Sequence, residues 1–124
     1  MTRTALALGV AAIVGLAVAA LGHASCIVQT PAEQRARADV IFDGVALEGP
    51  TATGVQRFRV TRYRKSGGPS IVRVQTGTKR FADGSIATTS VALFVRRGQR
   101  WRIFATGNAR RVLQTNVCAG SRRL

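Results

Sequence analysis

The stretch Gln56-Arg57-Phe58-Arg59-Val60-Thr61-Arg62-Tyr63-Arg64 alternates apolar and charged residues with a period of two. Successive side chains of an extended chain point to opposite faces, so Phe58 and Val60 share one side while Arg57, Arg59 and Thr61 share the other. This predicts a half-buried strand whose wet face is lined with arginine. The flanking sequence repeats the pattern. Val40 to Leu47 is an apolar run crossed by Asp43-Gly44, predicting a mostly buried strand with a bend or bulge at the glycine. Gly67-Gly68-Pro69 is a turn, and Ser70 to Thr76 sets Val72 and Val74 opposite Arg73. Thr78 to Gly84 is polar and turn-like. Thr88 to Val95 predicts a strand on the spacing Val91, Leu93, Val95. Gln99 to Thr106 predicts another, with Trp101 and Ile103 inward and Arg100 and Arg102 outward, and Arg111 to Val117 is a last extended piece.

Upstream, Thr30-Pro31-Ala32-Glu33 has the spacing of a capping box with proline in the first turn, so a short helix through Ala38 is expected. The whole pattern is all-β: five or six strands with short turns form a compact antiparallel sheet or small five-stranded barrel, with one or two short flanking helices.

The first residues have a different character. Arg3 is followed by the uncharged apolar run Ala5 to Leu21 and the small-residue segment Gly22-His23-Ala24, the layout of a signal peptide over residues 1–24. Cleavage before Ser25 leaves a domain over 25–124, secreted or held in the cell envelope, with no stable membrane span once processed. The alternative is a retained anchor helix, since the run is close to the roughly 17 residues that cross a bilayer. A domain of about 100 residues buries only about 60 to 68% of its unfolded surface, so a covalent constraint would help it. The two cysteines, Cys26 and Cys118, stand at the ends of this domain. In an exported chain such a pair predicts a disulfide, although two buried thiols are the alternative.

Charge is the other dominant signal. The chain carries 19 Lys and Arg against 5 Asp and Glu, a net charge of +14, and loses one positive charge with Arg3. A field of that sign gathers polyanions, although GC-rich coding enriches arginine without any selection for binding. Arg57, Arg59, Arg73, Arg100 and Arg102 are the candidate anion-binding residues, because neighbouring strands would stack them on one outer face. Tyr63 and Phe104 share their strand parity and would suit base stacking. The sole histidine, His23, falls in the segment expected to be removed, and the mature chain then lacks the commonest general base and metal ligand. No nucleophile elbow, phosphate-binding glycine loop or four-ligand cysteine cluster occurs. Asp39 and Asp43 are the one close carboxylate pair, read as helix-end and turn residues. The expectation is a non-catalytic monomer without cofactor or metal.

Four segments together resemble the netrin-like domain, the family that includes the tissue inhibitors of metalloproteinases. Ala38-Asp39-Val40-Ile41-Phe42-Asp43-Gly44-Val45 is similar to its opening strand, and Phe58 to Gly67 to its second. Gly98 with Trp101 to Ala105 is similar to a later strand, and Leu113-Gln114-Thr115-Asn116-Val117-Cys118-Ala119-Gly120-Ser121-Arg122 to the closing segment. Cys26 stands alone at the front and Thr88 to Val95 lacks cysteine, so this would be a reduced, bacterial-style version with one bridge. The resemblance implies an OB-like five-stranded barrel and a binding module for a protein partner, with a metalloprotease as one candidate. In animal inhibitors of the family an N-terminal cysteine chelates the target's zinc, which makes Ser25 and Cys26 a candidate inhibitory edge. The alternative function is binding of nucleic acid, anionic lipid or an acidic polymer.

Overall fold

The computed structural model describes residues 26–124, so the signal segment expected over 1–24, and Ser25, lie outside the described residues. Among the described residues no helix is long and apolar enough to cross a membrane. The described residues are mostly β, a curled sheet with one α-helix.

Helix α1, Pro31–Arg37, begins as its sequence dictates: Thr30 Oγ1 accepts from the Glu33 amide at 3.1 Å, and the Glu33 carboxylate returns to the Thr30 amide at 3.4 Å. Ala38 is its C-cap. At the far end Lys65 Nζ donates to the carbonyls of Arg35 and Ala36, where the helix leaves acceptors unpaired.

The strands follow as β1 (Val40–Ala46), β2 (Val55–Lys65), β3 (Ile71–Gln75), the two-residue β4 (Lys79–Arg80) and β5 (Ile86–Ala87), β6 (Arg100–Ala105), β7 (Val112–Gln114) and β8 (Arg122–Arg123). The main sheet has the order β7-β3-β2-β1-β6-β8, while β4 and β5 pair with each other. β7 lies parallel to β3, which corrects the expectation of a wholly antiparallel sheet. β6 runs antiparallel to β3, so a β7 that bridges the end of β6 in antiparallel fashion runs parallel to β3. Thr106, just past β6, exchanges both backbone hydrogen bonds with Gln114 of β7 at 2.9 and 3.0 Å, so distant parts of the strand order meet as the sheet curls.

Inside the curl Phe42, Phe58, Val72, Val74, Leu93, Val95, Ile103 and Leu113 form the main core. A second, smaller cluster of Ala38, Ile41 and Phe104 lies on the opposite face of β1 and β6, with Ala119 packed against it. Cys26 and Cys118 form the expected disulfide, with Cα atoms 5.3 Å apart.

The structure corrects three further expectations. Thr88 to Val95 contains no strand, although Leu93 and Val95 are buried as their spacing implied. Isolated backbone bonds, from Leu93 to the Thr76 carbonyl and from Val117 to the Val91 carbonyl, and side chains take the place of a ladder: Thr78 Oγ1 donates to the Leu93 carbonyl at 2.8 Å, and Gln56 Nε2 to the Val95 carbonyl at 3.0 Å. The segment Thr78 to Gly84, read as a turn, contributes β4, and a further short strand, β8, forms in the tail.

Tyr63 is the third. The β1–β2 register shifts twice, leaving Thr61 and then Arg64 without a partner on β1. Each bulge reverses the alternation. Tyr63 therefore falls opposite Phe42 on the core side, its ring 6.3 Å from that of Phe42 and its hydroxyl donating to the Pro69 carbonyl at 2.6 Å. Burial pushes its phenol above the ordinary value, with Arg110 opposing.

Candidate functional site

Strand pairing carries the arginines of β2, β3 and β6, and Arg122 of β8, to the outer face of the sheet. Residues directly opposite each other share a face. One row across β8, β6, β1 and β2 is therefore Arg122, Arg102, Asp43 and Arg62. The next, across β6, β1, β2 and β3, is Arg100, Val45, Arg59 and Ile71. Beyond it Arg57 faces Arg73. Arg57, Arg59, Arg73, Arg100 and Arg102 thus lie on one face, joined by Arg62 and Arg122 and by Arg64, the bulged residue.

Two like-charge pairs sit directly opposite each other, Arg57 with Arg73 and Arg102 with Arg122. Such pairs destabilise a sheet. One member of each is matched by an acid. Glu48 takes the Arg57 amide at 2.9 Å, its Nε at 3.2 Å and its Nη2 at 3.2 Å. Asp43 takes Arg102 Nε at 2.7 Å and Nη2 at 3.1 Å, and also Arg64 Nε at 2.8 Å. Hydrogen bonding to Arg102 holds the Asp43 carboxyl below its ordinary range; burial opposes this and Arg64 reinforces it. Asp43 in turn raises Arg102. At Glu48 burial pushes upward, but the Arg57 contacts outweigh it and the net direction is down. Among the described residues no salt bridge engages Arg59, Arg62, Arg73, Arg100 or Arg122.

Sequence reasoning named five of these arginines and missed Arg62, Arg64 and Arg122, whose positions depend on the bulges and on β8. It also missed the clamp at Asp43, because the partner Arg102 is 59 residues away. Asp39 and Asp43 do not work together: Asp39 Oδ2 accepts from the Gly107 amide, whereas Asp43 is held between guanidiniums. Phe104, expected to be available for stacking, is 6% exposed and packs with Ile41 and Ala38 beside α1.

The other candidate edge is the N-terminal segment. Cys26 is exposed and tied to the body through Cys118, and Ile27 and Val28 beside it are 79% and 94% exposed. Among the described residues no group of three or more His, Cys, Asp or Glu is placed to hold a metal ion. No protein-family model, curated protein or solved structure matches the chain.

Proposed function

We propose that this protein is an extracytoplasmic, non-catalytic binding module of netrin-like type that engages polyanions through the arginine-bearing outer face of its sheet. The observation that carries this reading is the register itself, which aligns arginines of four strands on one side while, among the described residues, only Asp43 and Glu48 pair with them. An array of guanidiniums at strand spacing fits a chain of regularly spaced anionic groups and attracts it over several ångströms of solvent.

The finer architecture belongs to this proposal. The order β7-β3-β2-β1-β6, the parallel β3–β7 pair and the bridge between Thr106 and Gln114 support a five-stranded OB-like barrel, and α1 ahead of β1 supports the netrin-like variant. The disulfide supports an oxidising compartment outside the cytoplasm and, with it, the signal peptide over residues 1–24. The test of the surface is a footprint. Adding heparin to the ¹⁵N-labelled protein should shift amide and arginine Nε–H signals of β1, β2, β3 and β6. Shifts spread evenly over all basic residues, including Lys79 and Arg80, would contradict a defined face.

The exposed Ile27 and Val28 beside Cys26 favour a second reading, contact with a protein partner along this edge, a metalloprotease among the candidates. N-terminal sequencing discriminates within it. A chain beginning at Ser25 blocks zinc chelation by the Cys26 amine, whereas a chain beginning at Cys26 that inhibits a zinc protease would establish it.

A further inference from the structure

We propose that the cleft between α1 and the outer face of β1 and β6 binds a single phosphate monoester carried on an apolar or ring-shaped carbon body. This deepens the polyanion reading, since the cleft adjoins the same face, but it concerns one group in a shaped site and not a polymer laid across a surface.

Arg35, Arg64, Arg102 and Arg122 line this cleft of about 330 Å³, and Ile41 and Phe104 contribute its apolar wall. These four arginines come from α1, β2, β6 and β8, so the site exists only in the folded chain. A volume at the lower end of the roughly 300–1,000 Å³ typical of small-molecule sites suits a phosphate and a small ring but no polymer backbone. The neighbouring cleft on the Cys118 side of α1, about 220 Å³, has Arg37 as its single charged residue.

Asp43 orients two of the guanidiniums. It takes the Nε of Arg64 and the Nε and Nη2 of Arg102, leaving the Nη groups of Arg64 and Nη1 of Arg102 without protein acceptors among the described residues. The guanidinium of Arg35 or Arg122 likewise makes no hydrogen bond to a protein group among the described residues. Guanidinium forks with free N–H donors match the oxygens of phosphate, and fixing them in advance reduces the cost of ordering on binding. Four positive charges against one carboxylate favour a group carrying about −1.5 to −2 over a monoanionic carboxylate or sulfate ester. Pro31 lines the cleft as well, and Ile41 and Phe104, 3% and 6% exposed, present only their edges to it, so the carbon body would meet a narrow apolar wall and not a stacking face.

The test titrates phenyl phosphate into the purified protein and follows arginine Nε–H and aromatic ring signals by NMR. Saturable one-site binding is expected, with shifts at Arg64, Arg102, Arg122 and Phe104, and with phenyl sulfate binding more weakly. Replacing both Arg35 and Arg122 by alanine should weaken phenyl phosphate by about tenfold or more. The triple variant Lys79→Ala, Arg80→Ala, Arg97→Ala should leave it within about twofold, because those residues lie outside the main sheet that carries the cleft. Two further arms identify the source of the group: 5′-phosphorylated against 5′-hydroxyl oligonucleotide, and vesicles with phosphatidic acid against phosphatidylglycerol. Non-saturating shifts over all arginines, equal binding of phenyl sulfate, or indifference to loss of Arg35 and Arg122 would overturn the site. If phenyl phosphate fails while oligonucleotide still binds with steep salt dependence, the cleft falls and the polyanion reading stands.

Discussion

At Asp43 a carboxylate whose side chain is 10% exposed meets Arg64 and Arg102, whose side chains are 35% and 21% exposed. The arginines keep some contact with water, so removing the acid costs less than stranding a fully buried charge. Replacing Asp43 with Asn should destabilise the fold by about 2 kcal/mol at neutral pH, read from denaturant unfolding. The pH dependence has a definite sign. A carboxyl whose folded value lies below its unfolded one contributes its full stabilisation above the unfolded value and loses it as pH falls through the folded value. Asp43 is lowered from 3.8 and Glu48 from 4.5, so the protein should lose stability as pH drops below about 4. In Asp43→Asn that acid loss should be visibly shallower. An unchanged acid limb would mean that the clamp does not stabilise the native state. From sequence, Asp43-Gly44 announced a bend and nothing more, because the guanidiniums that give Asp43 its role arrive from β2 and β6.

Among the elements, those with strong local chemistry were legible in the sequence. The α1 capping box, the burial of Phe58, Val72 and Val74, and the inward Ile103 all follow from spacing alone. Two kinds of misreading have physical causes. Alternation reports which side chains are buried, not where backbone hydrogen bonds go, and so Leu93 and Val95 are buried in a segment held by Gln56 and Thr78. Period-two counting also assumes an unbroken pleat, and the bulge at Thr61 turns Tyr63 inward. Gly44 lies where the first bulge brings β2 close: a Cβ there would meet the Arg59 carbonyl oxygen at 2.9 Å and the Phe42 ring at 3.0 Å. Gly44→Ala should therefore destabilise by about 1–3 kcal/mol, the usual range for overpacking. At the helix, Thr30→Ala should cost about 1 kcal/mol through loss of the cap. A neutral Gly44→Ala variant in thermal or denaturant unfolding would show that β1 and β2 do not pack this closely.

For the whole molecule, the two ends of the described chain are joined by Cys26–Cys118 across a sequence separation of 92. Closing a loop of that length restricts the unfolded chain, and the chain-entropy model gives roughly 4 to 5 kcal/mol. Reduction should accordingly lower the unfolding midpoint sharply, and intact mass should show no alkylatable thiol before reductant is added. The surface at this scale is partly legible as well. Charge and strand parity pointed to the outer face, but the acids that thin its field, and the arginines that extend it past β2 and β6, depend on register.

If the outer face, and not net charge alone, governs polyanion binding, the salt dependence of affinity for a single-stranded oligonucleotide must follow the arginines of that face. Log affinity should fall linearly with log salt, with a slope of about 0.7 per phosphate neutralised. Reversing Arg59, Arg73 and Arg100 to Glu should reduce that slope by about 2, because three phosphate contacts are lost. Reversing Lys79, Arg80 and Arg97, which lie outside the main sheet and change the net charge equally, should leave the slope nearly intact. Equal reductions from the two triple variants would mean that net charge alone governs binding.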